Sequence, residues 1–178
     1  MYIDISTKSY YNIQYDFVLD KGVTAMSEKF DWEAARFNNL SSEIEGAYHD
    51  AAQRLGLPDS TMRILYTVSG NSGSCMLSDI CRLSGTSKQT INSALRRLEK
   101  DGIIILETVK GRRKCVYLTD KGKILSENTA ERIIKAENET FGSWTDEERK
   151  IYIELTERFL KQFKDKISGL NNSGGTSL

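Results

Sequence analysis

The stretch TSKQTINSALRRLEKDG, residues 86–102, restricts the possible folds more than any other part of the chain. Ile91, Leu95 and Leu98 recur at alternating four- and three-residue spacing, so they share one helical face. Lys88, Gln89, Asn92, Ser93 and Arg96 fall on the other side. Thr86 or Ser87 can cap the N-terminus, because a hydroxyl there satisfies an orphan backbone N–H. Gly102 stands where a glycine ends a helix. Such a helix needs a core under one face. Its other face offers amide, hydroxyl and cationic groups to something outside.

The neighbouring segments supply that core. Before it, LSDICRLSG (77–85) reads as a short helix capped by Ser78 and ended by Gly85, and Cys75-Met76 as a very short strand. After it, IIILETV (103–109) is β-branched and aliphatic, the pattern of a strand. KGRRK (110–114) is a tight turn with four cations, and CVYLT (115–119) is the returning strand. Short helix, turn, polar-faced helix, strand, basic turn, strand is the order of a winged helix-turn-helix. A helix of this kind fits the DNA major groove and reads base edges with its N-terminal side chains. The two-stranded wing brings its cations to phosphate or to the minor groove.

Charge distribution agrees with that order. The chain carries no net charge, yet residues 82–123 hold eleven Lys or Arg against four acids, a local excess of +7. A polyanion responds to the local field rather than to the whole-chain sum.

The flanks read as helices. Trp32 to Leu55 has Phe37, Leu40, Ile44, Tyr48, Ala51, Ala52 and Leu55 at helical spacing, and Gly56 stops it. Pro58 with Asp59 or Ser60 starts the next helix, since proline is tolerated only in the first turn. GNSGS (70–74) is a turn. Thr119 caps a long helix expected from Asp120 to about Phe141. Thr145 and Glu148 form a capping-box pattern for a last helix reaching about Ile167. Phe141, Trp144, Tyr152, Leu155, Phe159 and Phe163, with Phe37 and Ile44 from the first helix, make an apolar surface too wide for one chain to bury, so a dimer interface is expected there. The resulting fold class is mainly α with a small β wing: a winged helix-turn-helix flanked by dimerisation helices.

The divisions expected are an N-terminal extension (1–31), a first dimerisation helix (32–57), the DNA-binding winged helix (58–119), C-terminal dimerisation helices (120–168) and a flexible tail (169–178). Four of the eight tyrosines lie in the first fifteen residues, without helical period. Lys21-Gly22-Val23 can be written AAA GGA GTN, a purine-rich ribosome-binding sequence at a sensible distance before Met26. Residues 1–25 are either a poorly ordered extension or sequence upstream of a true start at Met26. The codons at Lys21 and Gly22 decide between the two.

Other function classes lack their residues. Three widely spaced cysteines fit a reducing compartment rather than a disulfide scaffold. With no apolar run long enough to span a bilayer and no signal peptide, a cytoplasmic protein without membrane partners is expected. One histidine and no paired CxxC argue against a zinc site. No nucleophile–base pair, paired acidic motif or phosphate-binding glycine loop is present, so no enzyme and no cofactor are expected. Cys81 reads as packing. Cys75 and Cys115 come together only if the short strand pairs with the returning wing strand.

With helices on both sides of the module, the chain resembles the MarR family of dimeric bacterial regulators over roughly residues 32–167. SKQTINSALRRLEKDG is similar to that family's recognition helix, and LETVKGRRKCVYLTDKGK to its wing and the start of its fifth helix. The family's wing commonly carries an Asp before its Arg pair, where this chain has Gly111. The resemblance implies a sequence-specific DNA-binding transcriptional regulator, a ligand-responsive homodimeric repressor on a pseudo-palindromic operator in double-stranded DNA. Ser87, Lys88, Gln89, Thr90, Asn92 and Ser93 would face the major groove. Gln89 and Asn92 suit adenine, whose N6 and N7 a carboxamide can pair together. Arg96, Arg97 and Lys100 would hold phosphate, although Arg97 has an ion pair with Asp101 as its alternative. Lys110, Arg112, Arg113 and Lys114 would form the wing contact, with Arg112 or Arg113 at the minor groove. Tyr48, His49, Met62 and Tyr66 would line a cleft for a small aromatic ligand. The alternative function is a winged-helix module that binds protein without DNA.

Overall fold

Helix α1 (Ala25–Arg54) ends short of Pro58, whose extended backbone (φ −61°, ψ 145°) leads into α2 (Asp59–Gly70). The structure is a computed structural model that describes the backbone of residues 25–172 except 110 and 112, and side chains over 32–170 with the same exceptions. The expected extension therefore lies outside the described residues as far as Thr24, and α1 begins at Ala25 rather than at Trp32.

Residues 1–50 and 51–178 form two compact units. In the first, the described part is the body of α1, where the Arg36 guanidinium stacks 5.4 Å over the Trp32 ring. The second unit continues from α2 through β1 (Ser74–Met76), α3 (Leu77–Leu83), α4 (Lys88–Lys100), β2 (Ile104–Val109) and β3 (Arg113–Leu118). Then follow α5 (Asp120–Asn128), α6 (Ala130–Gly142), α7 (Asp146–Ser168) and a 3-10 turn (Gly169–Asn172). The three strands are antiparallel with β3 in the middle. The core joins Ile64, Leu65 and Val68 of α2 to Ile80 of α3, Ile91 and Leu95 of α4, and Ile104 and Val116 of the sheet. Each fully buried aliphatic side chain there contributes about 1.5–3 kcal/mol.

Two expectations from local sequence change. Ser78 does not cap α3: the helix starts at Leu77 behind Met76, with no side-chain cap. The single helix expected from Asp120 to Phe141 is broken at Thr129 (φ −133°, ψ −88°). There the Thr129 hydroxyl donates to the Leu125 carbonyl, which the helix would give to the Thr129 amide, and that amide turns to Ser126 instead. The break lets α6 lie along α2 and buries Ala130 and Ile133. The fully buried Ser126 hydroxyl meets Ser69 of α2 beside it.

The other caps form as the sequence implies. Thr119 accepts from the Gly122 amide at 3.0 Å, and Thr145 and Glu148 complete a reciprocal capping box at α7. Hydrogen bonds from the Thr145 amide and then its hydroxyl hold the Glu148 carboxyl below the usual carboxylate range. The corner before α7 is packed by Phe141, Trp144 and Tyr152, whose ring centroids lie 5.0–5.9 Å apart.

Among the described glycines, Gly122 is the one with other chain atoms against it. A Cβ at this position would stand 2.1 Å from the Ile103 carbonyl oxygen and 3.3 Å from the Leu118 side chain. A backbone oxygen cannot rotate away, so Gly122→Ala must push α5 off the sheet. We expect a loss of about 1–3 kcal/mol in urea unfolding. Gly142→Ala, with nothing within 4 Å of its Cβ, should change stability by no more than about 0.5 kcal/mol.

Candidate nucleic-acid interface

The stripe Ile91, Leu95 and Leu98 is 0–4% exposed, and Ala94 joins it. That burial fixes which face of α4 looks outward. Ser87, Lys88, Gln89, Thr90, Ser93, Arg96 and Arg97 are exposed, and Asn92 is half-buried. The Ser87 hydroxyl caps the helix by accepting from the Thr90 amide at 3.2 Å, and it lies 2.8 Å from the Thr90 hydroxyl. Thr90 is thereby tied to the cap. Gly85 takes a left-handed backbone (φ 61°) in the turn from α3, a conformation that glycine reaches without strain.

Beyond α4, the Leu98 carbonyl accepts from Ile103 and leads the chain into β2. The wing hairpin closes on the pair Val109–Arg113. Gly111 sits there at φ 79°. Arg113 and Lys114 are exposed and belong to β3 itself, so the turn is tighter than the five residues read from sequence. Lys110 and Arg112 lie outside the described residues.

The cations of this segment divide into two sets. Arg82 pairs with Asp79 at 3.3 Å and Lys123 with Asp120 at 2.9 Å, both one helical turn away. The hydrogen bond from Lys123 holds the Asp120 carboxyl low and raises the Lys123 ammonium. Lys121 donates to the Asp101 carbonyl at 2.9 Å, closing the C-terminal end of α4. Among the described residues, no ion pair engages Lys88, Arg96, Arg97, Lys100, Arg113 or Lys114. The bridge from Arg97 to Asp101 is absent from this set. The six cations without an acid are those of α4 and the wing, so their field is not cancelled at short range.

Two residues that hold this surface carry no periodic signal and were missed in sequence. Lys121 is one. Arg63 of α2, which reaches the Ser84 carbonyl across the core, is the other. Both act on main-chain carbonyls brought near only by the fold.

The four candidate ligand residues are spread between the units. Tyr48 and His49 are exposed on α1 within residues 1–50. Met62 is in the core of the second unit. Tyr66 is half-buried, and its hydroxyl donates to the Glu137 carboxylate at 2.5 Å, joining α2 to α6. An open groove along α2 and α6 is lined by Ser69, Gly70, Glu131, Ile134, Lys135, Asn138 and Glu139, and contains none of the four.

The strand pairing expected of Cys75 and Cys115 forms, with Met76 opposite Cys115 and Cys75 opposite Val116. Opposed residues share a face and successive ones alternate. The two thiols therefore leave the sheet on opposite sides, and both are free. Burial pushes the Cys75 thiol up, with Asp79 adding to the shift, so a reactive thiolate is disfavoured.

Residues 55–114 match the family model described as MarR family. No curated protein matches the chain. Among solved structures, NMB1585, a MarR family regulator from Neisseria meningitidis, is similar at 20% identity with a TM-score of 0.63, over 80% of this chain and 98% of that one. Sco3205, a MarR family transcriptional regulator from Streptomyces coelicolor solved in complex with DNA, is 19% identical with a TM-score of 0.59, over 81% and 92% of the two chains. The PcaV transcriptional regulator from the same species, solved with its natural ligand, is 17% identical with a TM-score of 0.51, over 70% and 91%. Likeness at these identities is likeness of fold.

The cap of α4 is directly testable. Ser87→Ala removes the acceptor of the Thr90 amide and should cost about 1 kcal/mol in urea unfolding. An unchanged midpoint would mean that water replaces the hydroxyl at no cost.

Proposed function

Starting from a winged helix of the MarR family, we propose that this chain is a sequence-specific DNA-binding transcriptional regulator acting as a homodimer. The observation that carries the reading is the coincidence, on one winged helix, of an exposed amide- and hydroxyl-rich helix face with six cations that have no acidic partner among the described residues. A helix of this width enters a major groove. Ser87, Lys88, Gln89, Thr90, Asn92 and Ser93 would lie toward the bases. Gln89 and Asn92 would read adenine through two-point pairing. Arg96, Arg97 and Lys100 would bind phosphate. Lys110, Arg112, Arg113 and Lys114 would approach the backbone and the minor groove beside it.

Helix α7 supports the homodimer. None of its residues is buried, and Tyr152, Leu155, Phe159 and Phe163 are 42–50% exposed. At about 100° per residue, these four with Ile153, Leu160 and Ile167 span an arc of roughly 160°. One packing partner needs an apolar stripe of about 100°. The Phe141–Trp144 corner would extend the same interface, and Phe37 and Ile44 of α1 would add an apolar face of their own. Two recognition helices in a two-fold dimer then suit half-sites about one helical turn apart. As a repressor, the dimer would leave its operator when a small aromatic ligand, in reach of Tyr48, His49, Met62 or Tyr66, favours a shape that mismatches the groove spacing. The alternative is a winged-helix module that binds protein. Six uncompensated cations on the presenting surface weigh against it.

The deciding experiment titrates purified protein against the intergenic DNA flanking its own gene and against unrelated DNA of equal length, across a salt series. Preference for the flanking DNA, saturating at one dimer per site, supports the reading. No binding to either DNA at low salt sinks it in favour of the protein module. Arg113→Ala should weaken binding to both DNAs and lower the salt slope by about one, through lost counterion release. Asn92→Ala should cost about 1–3 kcal/mol at a single base position. A loss from Asn92→Ala that is uniform across sequences would remove it from the base readers. In sedimentation, Phe159→Asp combined with Phe163→Asp should convert a dimer to monomer.

A further inference from the structure

We propose that Arg63 is a positioning residue for α4: from the body of α2 it holds the turn that aims the first residues of that helix. This role rests on the DNA-binding reading above.

Arg63 is half-buried between the core residues Met62 and Ile64. Its guanidinium donates to the Ser84 carbonyl at 3.1 Å, across 21 residues of chain. Ser84 is the C-cap of α3 and is 2% exposed. A cation suits this position, because the last carbonyls of a helix carry its negative end. The Thr86 hydroxyl donates to the same carbonyl at 3.1 Å, and the Thr86 amide donates to the Ser84 hydroxyl at 3.3 Å. The following residue, Ser87, is the N-cap of α4. Polar contacts thus run without a gap from α2 to the residues that would meet base edges.

Apolar packing holds α3 through Ile80, Leu77 and Cys81 but gives Gly85 no contact. α3 has seven residues, and Ile80 is its one buried residue. Gly85 is exposed, with no atom within 4 Å of a Cβ placed on it. Glycine at that point widens the choice of backbone conformations. The Arg63 bond, with the two from Thr86 to Ser84, is the restraint that selects one of them. Its loss should act unequally on the two parts of DNA binding. Two-point carboxamide pairing needs a fixed approach. Attraction of cations to phosphate falls off over about 8–10 Å and tolerates misplacement.

Arg63→Met keeps the aliphatic stem and removes the donor. Hydrogen exchange at the Thr86, Thr90 and Ile91 amides should accelerate about tenfold, the weight of one charge-assisted hydrogen bond. Affinity for the flanking DNA should fall about tenfold. Affinity for unrelated DNA and the salt slope should hold, and the melting temperature should fall by a few degrees, as loss of one hydrogen bond from the folded state requires. Equal losses on both DNAs with a shallower slope would make Arg63 a phosphate contact and overturn the proposal. Flanking-DNA affinity that holds while exchange accelerates would reduce Arg63 to a general stabilising residue and overturn it too, as would unchanged exchange at all three amides. Should Arg63→Met not fold, Arg63→Lys, which moves the donor and keeps the stem, is read in the same way. If the unmodified protein shows no preference for flanking DNA, the sequence-specific reading fails, while exchange at Thr86 and Thr90 still decides whether Arg63 holds the turn.

Discussion

The outward face of the winged helix depends on the burial of one side of α4. Ile91, Leu95 and Leu98 sink into the space made by α2, α3 and the sheet, and that contact sets the rotation of the helix about its axis. Turning α4 by one residue would swing about 100° of its surface, bury Asn92 and expose Ile91. The polar face is thus held in place by the apolar one. The same contact explains why so polar a helix is stable: its outer residues contribute little packing, and its inner stripe supplies the anchoring.

Rotation alone leaves the tilt and end points of the helix free, and polar contacts fix these. At the C-terminal end, the Thr119 hydroxyl lies 2.7 Å from the Gly102 carbonyl, and Lys121 closes on Asp101. Next to them Gly122 lets α5 touch the Ile103 carbonyl. At the N-terminal end, Ser84, Thr86 and Ser87 pass the position of α2 along to α4. Both ends are bound to main-chain carbonyls, which do not change rotamer. Geometry held this way depends on backbone placement more than on the choice of core side chains.

The parts legible in sequence are those whose cause is local. The stripe of α4, the Ser87 and Thr119 caps, the Thr145–Glu148 box and the hairpin all follow from residues within a few positions of one another. The short strand at Cys75 was legible too, and with it the pairing to β3, though not the register that separates the thiols. What escaped has its cause across the fold. The break at Thr129 accompanies the packing of α6 on α2, and nothing in ERIIKAENETF announces it. Arg63 and Lys121 read as ordinary surface cations until folding brings carbonyls to them. Of the candidate site, the face and the charge were readable. Which cations already had partners was not, because that depends on side-chain geometry.

The tightness of the wing has a thermodynamic side. Only the pairs Thr108–Lys114 and Val109–Arg113 lie beyond the last core residues of the hairpin, a projection of about 7 Å at strand rise. Arg113 and Lys114 start from ladder-bound backbone and not from a long loop. A surface that must be ordered on contact loses part of its interaction energy to conformational entropy. Here the main chain beneath these two cations has already lost that freedom in folding, so an anion meeting them leaves chiefly side-chain rotamers still to be fixed.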